Sequence, residues 1–456
     1  MPYILNTDRD VKEMLKILGY DSLEGLFTQI PDELKLTGKG EDFPGYSESQ
    51  LRDYFSEVSR KNTPFTRFNS FLGAGAYAHY IPSALKYLAM RPEFYTAYTP
   101  YQPECSQGTL QAIFEYQTYI CELTALDVAN ASLYDGATAL VEAVLMALRI
   151  RKKQKILVSE GIHPEYRTVL ETYLENSGCR IEEIPGDAQG YVDKDALKKM
   201  CADDCVACCF ASPNFFGLIE DIEEINKIVR SQGALSIVVT NPLALAVLKA
   251  PGDQRVDIAC GEGQMLGSPV SFGGPGFGFL AAKKEFLRQV PGRIVGKTKD
   301  GKGNDAYCLT LQTREQHIRR QNATSNICSN HSLGAIAAAI YLALMGKDGL
   351  RKAAVYSMNL ARYMRTQLSQ IDKVTIRCGD RFFHEFVWHI ENAQDILGRL
   401  HNENILGGVH LGDISDKYEN CILSCCTEIK TKTEIDHFIK TLKDIIMAYE
   451  KENISL

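Results

Sequence analysis

The segment Gly261 to Phe279, GEGQMLGSPVSFGGPGFGF, reads as a strand, a loop and a glycine-rich turn, the setting in which an enzyme working through a protonated Schiff base holds its lysine. It contains no lysine. Between Lys249 and Lys283 there is no primary side-chain amine, and no other side chain can form that linkage as a resting state. Gln264 stands where the amine is expected.

A second change in the same sense ends the strand-like run LSIVVTNPLAL at Asn241. From such a position a carboxylate usually grips the pyridine nitrogen of pyridoxal phosphate, and an uncharged amide cannot keep that ring protonated. A plain Asn-Pro turn is the bland alternative. The run YDGATALVEAVL sets Gly136, Ala137 and Thr138 at the start of a helix whose first free amides could hold a phosphate against the positive end of the dipole. A tight loop opening a core helix has the same composition. YTPYQPECSQGTLQ, with Tyr98, Tyr101, Gln102, Ser106 and Gln107, can line a pocket or simply lead into the next helix. QTREQHIRRQNATSNICSN brings Arg314, His317, Arg319 and Arg320 beside Thr324, Ser325 and Asn326, which suits an anion and equally suits a solvated basic face. His331, His384, His389, His401 and His410 show no spacing that argues for a metal and read as core or surface histidines.

These residues must be positioned by strand, crossover, strand units. From about Ser106 to about Ala282, helix-period and strand-like segments alternate, as in a parallel sheet covered by helices on both faces. KILVSE, VACCFAS, LSIVVT, DIACGEG and FGFLAA read as strands; Ala137 to Ile150, a segment from Pro164 to near Gly178, and Ile222 to Gln232 read as helices. Ligands in such sheets lie beyond the carboxyl ends of the strands, so the loops to watch are Asp135-Gly136, Ser212-Pro213-Asn214, Asn241-Pro242 and Gly261 to Pro275. The expected fold is α/β, with a large, mostly parallel domain over residues 71–330 and a small C-terminal α+β domain over 331–456. Amphipathic helices at Asp8 to Leu18 and Ser47 to Arg60 suggest an N-terminal helical arm over 1–70. Gly292 to Tyr307, GRIVGKTKDGKGNDAY, reads as a charged, mobile loop, and a helix from about Ser329 to Met345 is expected to end at Gly346.

Composition sets the class. The 456 residues are 45% hydrophobic, enough for a large core, and 50 Lys+Arg against 57 Asp+Glu give a net charge of -7, which argues against nucleic acid as the main partner. The start MPYILNTDRDVKEML shows neither a basic leader nor a signal-type apolar core, and the longest apolar helix candidate, Gly334 to Met345, is short for a membrane span. A cytoplasmic protein is expected. Of the 14 cysteines, several are neighbours in strand-like runs, VACCF and ILSCC, where adjacent side chains face opposite sides and chelate poorly. They read as reduced, buried thiols.

Five long motifs, FLGAGAYAHYIP, TPYQPECSQGTLQAIFEYQT, LYDGATAL, GEGQMLGSPVSFGGPGFGF and LQTREQHIRRQNATSNIC, together resemble glycine decarboxylase, the P-protein of the glycine cleavage system. More narrowly the chain resembles the first subunit of lineages that split the enzyme in two, and the resemblance covers essentially its whole length. It implies a fold type I pyridoxal-phosphate architecture. In the lysine-bearing second subunit a proline follows the lysine by eleven residues; here Pro275 follows Gln264 by eleven, so Gln264 matches the lysine position. Many members of the first-subunit branch keep Asp where this chain has Asn241.

The resemblance further implies an oxidoreductase of glycine catabolism, active only as a heteromer. Pyridoxal 5'-phosphate would sit on the second subunit, whose lysine forms the internal aldimine. Glycine would lose carbon dioxide there, and the aminomethyl group would pass to the lipoyl arm of H-protein. This chain would contribute Tyr98, Tyr101, Gln102, Ser106, Gln107, Thr324, Ser325 and Asn326 across an interface, while Gly136, Ala137 and Thr138 form a vestigial phosphate cradle. Two other readings stand beside this one: a self-sufficient enzyme using Lys249, Lys283 or Lys284, and a non-catalytic structural or regulatory homodimer.

Overall fold

A seven-stranded sheet positions the loops singled out above. In spatial order its strands are Val128–Ala129, Gly278–Ala282, Ile258–Glu262, Leu235–Val239, Cys205–Ala211, Lys155–Ser159 and Arg180–Ile184. The last five run parallel, whereas Gly278–Ala282 is antiparallel to both its neighbours. Cys205–Ala211 is buried along its whole length, as a central parallel strand covered on both faces must be, and this is why its run is continuously apolar. The edge strand Arg180–Ile184 escaped the sequence reading because RIEEI is largely solvent-facing and lacks that run. These features come from a computed structural model that describes residues 5–35, 45–202, 204–327 and 329–454.

The chain forms two compact units, Met1–Pro64 and Phe65–Leu456. The first holds helices Asp8–Leu18 and Glu48–Ser59, each opened by a capping box, from Thr7 and Ser47 respectively. Residues 65–70, expected in the arm, lie in the second unit: Asn69–Ser70 pairs in parallel with Ile405–Leu406, and the fully buried Phe71 packs on Phe438 at 4.9 Å. Burial of Phe71 fixes that strand.

Within the second unit a four-stranded antiparallel sheet, ordered Thr375–Ile376, Glu385–His389, Cys421–Cys425, Val409–His410, builds the C-terminal layer. Trp388 anchors it, fully buried with its indole N–H donated to Ser424 Oγ at 2.8 Å. The helix Ser332–Leu368 is long and apolar enough to cross a membrane by length and composition. Its backbone breaks at Gly346 (φ 57°, ψ -177°), where the sequence placed an end. Ala335, Ala338 and Tyr341 before the break pack into the large-sheet core, while Ala361, Met364 and Leu368 pack into the C-terminal one.

Another expectation requires correction. Gly292 to Tyr307 is a hairpin, Ile294–Lys299 against Asp305–Thr310, and not a loop. Asp300 Oδ1 accepts from the Lys302 and Asn304 amides, and Lys297 and Lys299 both pair with Asp305, so the charged residues stabilise the turn and its flanks. Among the described residues every cysteine is a free thiol; Cys208, Cys209, Cys425 and Cys426 of VACCF and ILSCC are buried as expected, while Cys105 is exposed and Cys121, Cys179, Cys308 and Cys378 are half-buried. Cys328 lies outside the described residues.

Candidate functional site: a cofactor cradle closed from within

The loops beyond the carboxyl ends of the parallel strands converge on one side chain. Glu262 ends the strand Ile258–Glu262, and its carboxyl group accepts three backbone amides: Gly136 N–H at 2.9 Å on Oε2, and Gln264 and Phe277 N–H, each at 3.0 Å, on Oε1. The Gly136 amide opens the helix Gly136–Ile150, the donor a phosphate would use. At the same helix start Asp135 accepts from the Thr138 amide at 2.7 Å in a capping box. Two of the helix's first amides are therefore taken by carboxyl groups of the chain itself. Burial pushes Glu262 up to about 7, against the three amides that pull it down. Only glycine fits at position 136, since a Cβ would collide with the buried Tyr166 hydroxyl.

Gln264 is held by a segment 187 residues away. Its Oε1 accepts the Tyr77 amide at 2.9 Å, and its Nε2 donates to the Tyr77 carbonyl at 2.9 Å and to the Ser268 carbonyl at 2.6 Å. The side chain thus pairs with Tyr77 as a strand backbone would. Tyr77 in turn donates its hydroxyl to Glu385 Oε2 at 2.6 Å, while Ala74 N–H donates to Glu385 Oε1 at 2.6 Å. Burial raises Glu385 to about 7.

Asn241 is spent locally. Its Oδ1 accepts from the Leu243 and Ala244 amides at 2.9 and 3.3 Å, the Asn-Pro turn of the bland reading, and its Nδ2 lies 3.4 Å from His384 Nε2. His163 caps the helix Pro164–Leu174: Glu165 N–H donates to its Nδ1 at 3.2 Å, leaving Nε2–H to donate to the Ala74 carbonyl at 2.9 Å. Burial lowers the His163 pKa, which keeps the ring neutral, and it packs against a tilted Tyr166 ring and edge-on to Phe215, with centroids 5.2 and 5.0 Å away. Between His163, Asn214, Asn241 and Glu262 a cavity of about 70 Å3 remains.

A family model of the glycine cleavage system P-protein matches residues 1–442. The chain belongs to the glycine cleavage system P-protein family. It is 45% identical over 446 residues to "Probable glycine dehydrogenase (decarboxylating) subunit 1" of Desulfitobacterium hafniense, covering 98% of this chain and 100% of that one. A relative of the same name from Moorella thermoacetica is 46% identical over 448 residues, with the same coverage. A crystal structure of glycine decarboxylase (P-protein) of the glycine cleavage system, in inhibitor-bound form, superposes with a TM-score of 0.88 at 40% identity, over 98% of this chain and 100% of that one. A NifS-like protein, 14% identical with a TM-score of 0.63 over 83% of this chain and 99% of its own, shares the fold alone. The architecture is that of the fold type I pyridoxal-phosphate enzymes.

Against that P-protein background the residues present do not fit a pyridoxal phosphate bound here. Gln264 and Asn241, expected at the lysine and pyridine positions, are amides spent on backbone groups, and Glu262 takes the Gly136 amide expected to hold a phosphate. The remaining space is far below the roughly 300 Å3 at which small-molecule sites begin. The other lysines are misplaced as well. Lys249 pairs with Glu223 at 3.1 Å on the surface, and Lys283 pairs with Asp257 after the strand Gly278–Ala282 has run to the far edge of the sheet.

Other P-protein motif residues separate into two groups. Tyr98 lines a cavity of about 950 Å3 beside the lysine-free loop, with Pro275, Gly276 and His331, and its hydroxyl is 3.0 Å from Ser329 Oγ. Gln102 and Asn326 are exposed, and Ser106 and Thr324 half-buried. Tyr101 instead contacts Arg293, whose Nη2 donates to its hydroxyl at 2.8 Å. Gln107 is structural, clasping the Tyr307 backbone in both directions, and Ser325 donates to Glu142 at 2.9 Å. The basic group expected to suit an anion is partly consumed: Arg314 is buried and donates to the Val290, Gly292 and Leu311 carbonyls, and Arg319 donates to Thr313. Glu262, Tyr77, Glu385 and His163 were not found by sequence reasoning. The GIHPEY turn was the one local signal, since it puts a histidine at a strand exit.

Gln264→Lys purified with excess pyridoxal phosphate is expected to show no visible absorption of a lysine-bound cofactor, because the new amine leaves the Tyr77 amide unpaired and Glu262 still fills the cradle. A borohydride-stable cofactor on the peptide that carries the substituted position would contradict this. The raised Glu385 makes a pH prediction. A carboxyl whose native pKa exceeds its unfolded value of about 4.3 contributes stability that is present below that value and lost as pH rises through about 7. Glu385→Gln can still accept from Ala74 and donate to the Tyr77 hydroxyl. Urea unfolding between pH 5 and 7 should therefore lose on the order of 1–3 kcal/mol of its downward slope with pH; an unchanged profile counts against a raised Glu385.

Proposed function

We propose that this chain is the first subunit of a two-chain glycine dehydrogenase (decarboxylating), without a catalytic residue of its own and active only as a complex with a lysine-bearing second subunit. Glycine is decarboxylated at pyridoxal 5'-phosphate held by that partner, carbon dioxide is released, and the aminomethyl group passes to the lipoyl arm of H-protein. A cytoplasmic location goes with this role. What supports the reading is the Gln264 clip: the residue that matches the cofactor lysine in the resemblance is a structural hydrogen-bonding group in this chain.

What this chain adds is surface. Tyr98, Tyr101, Gln102 and Asn326 are exposed, and Ser106, Gln107, Thr324 and Ser325 are half-buried in the same two segments. We assign these segments to the wall of the partner's site, with Tyr98 at the mouth of the large cavity as the leading contact. Gln107 and Ser325 act there as positioning residues through the hairpin and Glu142.

Exchange of labelled carbon dioxide into glycine, assayed with H-protein, is expected for the co-expressed pair and for neither chain alone. Exchange by this chain alone would overturn the proposal. Tyr98→Ala in the pair should lower exchange roughly tenfold or more, with the cofactor still bound, if it contacts the reacting groups.

A further inference from the structure

The cysteines in and just before VACCF do not follow the alternation of a regular strand. In a flat register Cys205 would share a face with Ala207 and Cys209, away from Cys208. The pairing with Lys155–Ser159 slips instead: Lys155 pairs with Cys205, Ile156 with Ala207 and Leu157 with Cys208, so Val206 is an inserted residue. Lys155 and Leu157 point to one face, and their partners Cys205 and Cys208 therefore do too. Cys201, just past the helix Lys194–Met200, reaches the same place. The three sulfurs lie within 4.8 Å of one another, with Cys205–Cys208 at 3.8 Å and Cys208–Cys201 at 3.7 Å. All three side chains are essentially inaccessible.

We propose that Cys201, Cys205 and Cys208 form a binding site for a soft, thiophilic metal ion, clamping the end of the Lys194–Met200 helix to the central strand. Thiolate bonds of about 2.3 Å around one ion separate its sulfurs by roughly 3.8 Å in a tetrahedral set and roughly 4.0 Å in a trigonal one. Two of the three edges already have that length without an ion. Thiolate donors select copper(I) and zinc over hard cations. Among the described residues the group contains no fourth histidine, cysteine or carboxylate ligand, so three sulfurs would complete a copper(I) shell, whereas zinc would take a further ligand. This site is independent of the closed cradle and of the exchange reaction.

The test is titration of the reduced full-length chain, under anaerobic conditions, with zinc in one arm and copper(I) buffered by a chelator in the other. One ion per chain is expected, with thiolate-to-metal charge-transfer absorption in the near ultraviolet and X-ray absorption showing three sulfur neighbours. Cys208→Ala should abolish that stoichiometric binding, while Cys260→Ala, another buried thiol, should retain it. X-ray absorption on the unaltered chain stands even if a variant folds poorly. Absence of stoichiometric binding of either metal, an ion that persists with sulfur ligation in Cys208→Ala, or a disulfide among the three cysteines in the isolated protein would each overturn the proposal.

Discussion

Three amides from separate parts of the chain donate to the carboxyl group of Glu262, and the closed arrangement of the loops at the strand ends depends on them. The Gly136 amide ties it to the start of a long core helix, the Gln264 amide to the loop that follows its own strand, and the Phe277 amide to the strand that returns. A phosphate in a helix-terminus cradle draws its binding from the same kind of donors. Here a side chain supplies the acceptor atoms at no cost in association entropy, and an external anion would have to displace it. The Gln264–Tyr77 pairing then seals the other side with two backbone-like hydrogen bonds.

Closure of this kind leaves the fold stable without a bound ligand in these loops. Empty polar cradles are costly, since each buried amide without a partner forfeits on the order of 1–3 kcal/mol. Glu262, Asp135 and Gln264 leave none of the donors they meet unpaired. The glycines at these loops allow close approach of Tyr166 to Gly136, Phe277 to Gly263 and Glu262 to Gly276.

Much of this was readable in the residues. The strand rhythm, the loops at strand ends, the missing lysine and Asn241 all lie in local patterns, and the structure brings those loops together as the parallel-sheet rule requires. What escaped depends on pairings between distant segments. Tyr77 meets Gln264 across 187 residues, and Glu385 meets Tyr77 across 308; no spacing announces either. The Ile294–Thr310 hairpin was hidden by its glycines and lysines, which resemble a loop until Asp300 and Asp305 are seen to bind them. The convergence of Cys201, Cys205 and Cys208 needs a one-residue bulge at Val206, and periodicity alone assumes there is none.

The proposed placement of the cofactor on the partner and not on this chain is tested most directly by counting. Cofactor released by alkali from the purified two-chain complex, measured with pyridoxal phosphate in excess during assembly, should amount to one molecule per pair of chains. Two per pair, with the second retained through gel filtration, would contradict it.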